Sequence, residues 1–292
     1  MNLIQAIVLG LVQGLTEFLP VSSSAHLIIV PWLLGWPEPG LAFDAALHLG
    51  TLAAVLVYFR RELLGMLRAV PLALAQPGRL LRAPAPGDHP GPREQDARLL
   101  WLLAIGTVPG AAAGLLGQGA IDRLFHGEHG PTGTSVVLIA LAMMGLGALL
   151  WAADKTAAHM RRIAHLGWQD AVTIGLAQAL AVIPGVSRSG ATITAGLFDG
   201  LRREDAARFS FLLGVPIIAL AGAKGLLDTA QAGLGAGEAA FFAVGMLVSA
   251  LSGFAAISGL LRFLQHRSMS VFVAYRFAVG LLLVLLVLAG KG

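Results

Sequence analysis

Residues 17–26, EFLPVSSSAH, set a carboxylate, three consecutive hydroxyls and an imidazole directly after sixteen residues with no side-chain charge. A second polar stretch, PGVSRSGAT at 184–192, holds one guanidinium between two hydroxyls. Arg188 offers a planar fork of donors that matches phosphate oxygens. Ser22 and Ser24 from the first stretch, and Ser187, Ser189 and Thr192 from the second, add hydroxyls, while Gly185 and Gly190 let the backbone approach closely. Half-helices beginning near Ser24 and Ser189 would turn their positive N-termini toward the same ligand. These parts describe an anion cradle, with phosphate the best fit. Gln13 and Glu17 are four apart, so a helix presents both on one face. A carboxylate repels an oxyanion unless a cation separates them, so Glu17 with Gln13 points to Mg²⁺ or Ca²⁺, or Glu17 alone to acid–base work. Ser23 with His26 three residues on suits a nucleophile and its activating base. In-line attack on phosphorus, with Arg188 and a metal holding the developing charge, would cleave a phosphoanhydride. The same residues have quieter uses: serines after a proline cap helices, and a lone histidine or arginine in an apolar setting can serve as a structural hydrogen-bonder.

The elements that must position these groups follow from composition. Of 292 residues, 57% are hydrophobic and 12% charged, with mean hydropathy +0.78; soluble domains carry about 25% charged residues. Apolar runs of about 20 residues recur, each long enough to cross a bilayer as a helix. They lack the alternation of a membrane β-barrel, and lipid forces backbone groups to pair internally. The expected fold is therefore an all-α polytopic membrane protein. Six spans are predicted, at 42–58, 99–118, 134–153, 209–228, 239–261 and 271–290. Two further stretches, 3–35 and 169–201, are broken near the middle by Pro, Ser and Gly, and read as re-entrant helix–loop–helix segments. There is no cysteine, which excludes disulfides and thiolate chemistry. No basic helix or aromatic platform speaks for nucleic acid. The N-terminus lacks the positive region of a cleavable signal.

Arginine-rich loops at 60–98, 154–168, 202–208 and 262–267 are expected on the cytoplasmic side, and both termini outside. Residues 76–93 read as a flexible linker. Shifting the chain by 165 lays GLVQGLTEFLPVSSS (10–24) on GLAQALAVIPGVSRS (175–189) with seven identities in fifteen. The chain thus reads as one membrane domain of two repeats, about 1–153 and 169–290. Each holds one broken segment and three spans, an odd number, so the halves run in opposite senses. The two broken tips should then meet at mid-membrane, Glu17 close to Arg188. Asp44 and His48 could line the mouth. His126, Glu128 and His129 form a loose metal-like spacing in a loop, and Arg276 is expected to pair with lipid phosphate or with Glu204 and Asp205. The five tryptophans, Trp101 among them, read as interfacial anchors.

QGLTEFLPVSSSAHL followed by PGVSRSGAT, with FDAALHLGT, FSFLLGVP and YRF in order, resembles the bacterial undecaprenyl-diphosphatase family, also called bacitracin-resistance proteins. The resemblance runs over the whole chain. It implies removal of the terminal phosphate of undecaprenyl diphosphate, which recycles the carrier lipid for peptidoglycan and other envelope polymers. It also implies a divalent cation, Mg²⁺ or Ca²⁺, and a site on the outer, periplasmic side of the bacterial cytoplasmic (inner) membrane. The family's E-x-x-x-E pattern falls on Gln13 and Glu17, so Glu17 carries more of the metal role here. Its functional serine falls on Ser23, its histidine on His26 and its phosphate-binding arginine on Arg188. The nucleophile is Ser23, His26 or water, with Ser23 favoured. Expected partners are the lipid substrate and the bilayer, bacitracin indirectly through sequestration of that substrate, and a homodimer as an open option. Two other readings share the motifs: a transporter or flippase of a phosphorylated lipid or anion, and a binder of lipid diphosphate without turnover.

Overall fold

The computed structural model describes residues 1–82, 84, 90–125, 131–232 and 238–291. The first broken segment forms α1 (Leu3–Phe18) and α2 (Ser23–Leu34), followed by α3 (Leu41–Tyr58), α4 (Arg60–Ala75), α5 (Pro77–Leu80), α6 (Pro92–Phe125) and α7 (Gly133–Thr156). The second forms α8 (Trp168–Ala179) and α9 (Arg188–Phe198), then α10 (Arg203–Ala232), α11 (Glu238–Leu264) and α12 (Ser270–Leu288). Six helices, α3, α6, α7, α10, α11 and α12, are long and apolar enough to cross a membrane. They are the six expected ones. The chain is an all-α, multi-pass membrane protein, and the described residues contain no strand, only one isolated bridge between Arg161 and Leu201.

Small residues decide how the half-helices pack. In lipid no hydrophobic force drives helices together, so close backbone approach and polar contacts do that work. Gly10 and Gly14 of α1 lie against α11, where a methyl on Gly10 would stand 2.7 Å from the carbonyl of Gly245. Gly175 of α8 lies against α6, where a methyl would stand 2.6 Å from the carbonyl of Gly106. Ser249 of α11 donates to the carbonyl of Leu47 at 2.8 Å, tying α11 to α3. Thus α1 packs on α11 while its counterpart α8 packs on α6, and α3 meets α10 as α7 meets α12. This exchange of partners fits two inverted repeats.

The arginine-rich loops gather on one face. Arg203 pairs with Asp154 at 2.5 Å, and Arg208 with Glu62. Arg98 donates to the carbonyl of Leu166 at 2.8 Å, and Met269 N–H to Asp154 at 3.2 Å. Arg161 clamps Asp170 through both nitrogens, at 2.7 and 2.8 Å; these bonds raise its pKa further. Three expectations need correction here. Residues 60–75 are not loop but helix α4, whose Met66, Ala69 and Ala73 recur at helical spacing and are buried; the arginines on its exposed face hide that period. The linker reading of 76–93 fails where α5 forms and where α6 starts at Pro92, while 83 and 85–89 lie outside the described residues. Trp101 is not a surface anchor: its indole N–H donates to the carbonyl of Ala73 at 2.9 Å, holding α4 on α6.

Candidate active site

Both broken segments stop and restart in the same way. Ser22 caps α2 and Ser187 caps α9, each hydroxyl accepting the amide three residues on, Ala25 at 3.4 Å and Gly190 at 3.0 Å. Both serines hold a positive φ, 79° and 73°. Such backbone costs a non-glycine residue on the order of 1–3 kcal/mol and persists only where the surroundings enforce it. Ser22 and Ser187 are equivalent under the shift of 165, so the strain belongs to the repeat.

The two tips touch. Gly185 N–H donates to Ser22 Oγ at 3.2 Å, and Ser189 Oγ donates to the carbonyl of Leu19 at 3.1 Å. Arg276, fully buried, locks them: its guanidinium donates to Pro20 O at 3.0 Å in the first tip and to Gly185 O at 2.7 Å in the second. It also reaches Met143 O of α7 at 2.8 Å. Arg276 therefore pairs neither with lipid phosphate nor with Glu204 or Asp205; it supplies the donors that tip carbonyls would otherwise seek from water.

At the junction Glu17 and Arg188 meet at 3.3 Å, both nearly buried. Glu17 Oε2 accepts from Ser23 Oγ at 2.6 Å and from the amide of Gln13 at 3.1 Å, and His48 Nε2 lies 3.7 Å from it. Arg188 also donates to Ser210 O at 2.9 Å. Its guanidinium rests on Gly214, where a methyl group would overlap it. Thr192 bonds Ser210 Oγ at 2.7 Å and so braces the strand of α10 backbone that holds Arg188.

His26 faces elsewhere. Its Nδ1 lies 2.6 Å from Ser22 O and its Nε2 2.7 Å from Tyr275 Oη. Both ring nitrogens are engaged away from Ser23, so the expected serine–histidine pair is not formed; the carboxylate of Glu17 takes the place of the imidazole. Most of the hydroxyls expected to face the ligand are turned inward. Ser22, Ser187 and Ser189 are buried and bond within the tips, as does the amide of Gly190, while buried Thr192 turns to Ser210 of α10; polar groups shielded from water must find internal partners. Ser23 and Ser24 are half-buried. Of the mouth candidates, His48 reaches Glu17, while Asp44 keeps one buried oxygen without a partner. His126, Glu128 and His129 fall outside the described residues. Ser210, Gly214 and Tyr275 were not foreseen. FSFLLGVP and YRF carry them, but nothing local in those runs marks which residue turns to the site.

A divalent cation can be weighed against this donor set. Among the described residues no three His, Cys, Asp or Glu side chains converge. Glu17 is the carboxylate at the junction, and Gln13 beside it keeps a buried side-chain oxygen with no partner. These residues fit an ion of the Mg²⁺ type, which takes one or two protein carboxylates and completes its shell with water and phosphate oxygens. They do not form a closed cage.

Fold and site together define a polytopic helical membrane protein with an arginine–carboxylate–serine centre where two broken segments meet. The model of the bacitracin resistance protein BacA family matches residues 6–282. The chain is 50% identical to the undecaprenyl-diphosphatase of Thermomicrobium roseum over 288 residues, covering 98% of this chain and 99% of that one. It is 46% identical to the undecaprenyl-diphosphatase of Myxococcus xanthus over 291 residues, covering 100% and 91%. It is also 46% identical to that of Geobacter sulfurreducens over 280 residues, covering 96% of each. The chain belongs to the BacA bacitracin-resistance family.

Proposed function

We propose that this protein hydrolyses undecaprenyl diphosphate to undecaprenyl phosphate and inorganic phosphate, with Ser23 as nucleophile and Glu17 as its base. The observation that carries the reading is one carboxylate with two partners: Ser23 Oγ on Glu17 Oε2 at 2.6 Å and Arg188 on Glu17 Oε1 at 3.3 Å. Arg188 would swing its outer nitrogen from Glu17 to the terminal phosphate, keeping its bond to Ser210 O. Glu17, relieved of that partner, takes the Ser23 proton as Oγ attacks phosphorus in line. The bridging P–O bond breaks and its electrons leave on the prenyl monophosphate, which accepts the proton from Glu17. Water then attacks the phosphoserine, Glu17 takes the water proton, and Ser23 Oγ recovers it as phosphate departs. Ser24 and the amides at the starts of α2 and α9 add donors to the phosphate oxygens. Gln13 and Glu17 would hold the divalent cation, Mg²⁺ or Ca²⁺, which when bound neutralises diphosphate charge beside the carboxylate. His26, held by Tyr275, keeps the Ser22 carbonyl in its strained place.

The rest of the reading concerns setting. The chain is one membrane domain of two inverted repeats, about 1–153 and 169–290. The arginine-rich face is cytoplasmic, and the junction opens to the outer side of the bacterial inner membrane. Bacitracin enters only by sequestering the substrate, and a homodimer remains compatible. Transport of a phosphorylated lipid is not favoured, since the relatives carry a hydrolase's name. Purified protein in detergent, given a long-chain prenyl diphosphate and Mg²⁺ or Ca²⁺, should release phosphate, and EDTA should stop it. Ser23→Ala should abolish turnover; substrate movement across vesicles without phosphate release would refute the reading.

A further inference from the structure

We propose that His48 is a ligand of the divalent cation, completing with Glu17 and Gln13 a three-residue site drawn from α1 and α3. The proposal rests on the reading that a cation works beside Glu17. His48 lies one helix away from the broken segments, and its spacing to Asp44 had suggested only a place at the mouth.

Three observations converge. First, His48 Nδ1 lies 2.7 Å from the carbonyl oxygen of Asp44. A carbonyl only accepts, so Nδ1 holds a proton, and Nε2 is the ring nitrogen left to offer a lone pair to a metal. An Nδ1–H bonded to a backbone carbonyl is the usual outer support of a metal-binding imidazole, because it sets the tautomer and the ring plane. Second, that Nε2 points at Glu17 Oε2, 3.7 Å away. A lone pair facing a carboxylate oxygen is repulsive unless positive charge lies between them. Third, Gln13 is fully buried, its side-chain oxygen has no partner, and its amide nitrogen sits 3.1 Å from the same Glu17 oxygen. Amide oxygen and nitrogen are exchangeable by a half-turn. That turn would bring the orphaned oxygen to the carboxylate. Neighbouring ligands on an octahedral ion bound at about 2.1 Å stand about 3.0 Å apart, which is the spacing Gln13 and Glu17 already have.

Such a set leaves room for phosphate oxygens and water. It also has a chemical consequence. Imidazole favours transition ions over Ca²⁺, which prefers oxygen alone. The site should therefore take Mn²⁺ more tightly than Ca²⁺, and more so than a site of oxygens. A proton on Nε2 would relieve the same repulsion, but a protonated ring cannot bind metal.

The test uses the full chain in detergent with Mn²⁺ and a non-hydrolysable prenyl methylenebisphosphonate. Pulsed electron paramagnetic resonance of the bound Mn²⁺ should show coupling to one imidazole nitrogen. His48→Gln should lose that coupling and bind Mn²⁺ at least about tenfold more weakly, with the ratio of Mn²⁺ to Ca²⁺ affinity reduced. His26→Gln should retain the coupling, which assigns the nitrogen. Coupling that survives in His48→Gln, or bound Mn²⁺ without nitrogen coupling in the unaltered protein, overturns the proposal. Failure of the unaltered protein to bind Mn²⁺ overturns it as well. If phosphate release also survives EDTA, the cation reading falls with it.

Discussion

Glu17 shares its carboxylate among three elements: Gln13 and Ser23 from the first broken segment, Arg188 from the second and His48 from α3. Arg188 is the partner whose geometry is least replaceable. Arg188→Ala should lower kcat/KM by on the order of 10²-fold or more, as loss of one charge-stabilising donor does. Arg188→Lys should recover little of that, since an ammonium is a point donor without the two separated nitrogens that reach Ser210 O and the position of Glu17. Phosphate-release kinetics on both variants check this, and near-normal rates in either would take Arg188 out of the site. Gly214→Ala adds one methyl where the guanidinium lies. Displacing the fork by about 1 Å should cost on the order of 10–10²-fold in activity while thermal stability changes little. Residue types alone marked Glu17, Ser23 and Arg188. They left the partner of Ser23 open between Glu17 and His26, because a histidine three residues from a serine is the commoner partner, and only the turn of α2 aims His26 at Tyr275.

The helices owe their contacts to glycine positions. Gly175→Leu would push α8 off α6 and should destabilise the protein by about 1–3 kcal/mol, the usual scale of overpacking, read as a lower midpoint in detergent unfolding. The end of α9 offers a pH test. Asp199 follows that helix beside the Arg161–Asp170 clamp, with one carboxylate oxygen buried and unpartnered. Burial, and then the charge of Asp170, raises its pKa from 3.8 to about 6. Between those values the unfolded chain ionises while the folded one keeps its proton, so stability falls as pH rises through the window and stays lower above it. Asp199→Asn should flatten that slope and be the more stable form above pH 6, measured by thermal unfolding at a series of pH values. Helix existence was legible wherever apolar residues ran for a full span. It was not legible in α4, where three arginines sit on a helix whose buried face is only Met66, Ala69 and Ala73.

The whole molecule is arranged by lipid acting as solvent. Charged loops collect on one face, and Arg276 ties the polar tips to each other. The chain has no cysteine, so single introduced thiols report orientation cleanly. Pro37→Cys should react with a membrane-impermeant maleimide in intact spheroplasts, and Arg79→Cys only after the membrane is opened. The reverse pattern would invert the proposed topology.

Hydropathy is a local property, summed over about twenty residues, so the spans, the two broken segments and the matching motifs 165 apart could be read directly from the chain. The repeat also pointed to the meeting of Glu17 and Arg188, 171 residues apart. Tertiary structure alone decided which other groups join them, through glycine-lined packing that no window of sequence contains. It also decided which polar groups remain available. Inside a bilayer every tip carbonyl and hydroxyl must find a protein partner, so most of the serines that looked like ligand donors were spent on holding the tips together, and the imidazole nearest Glu17 came from α3.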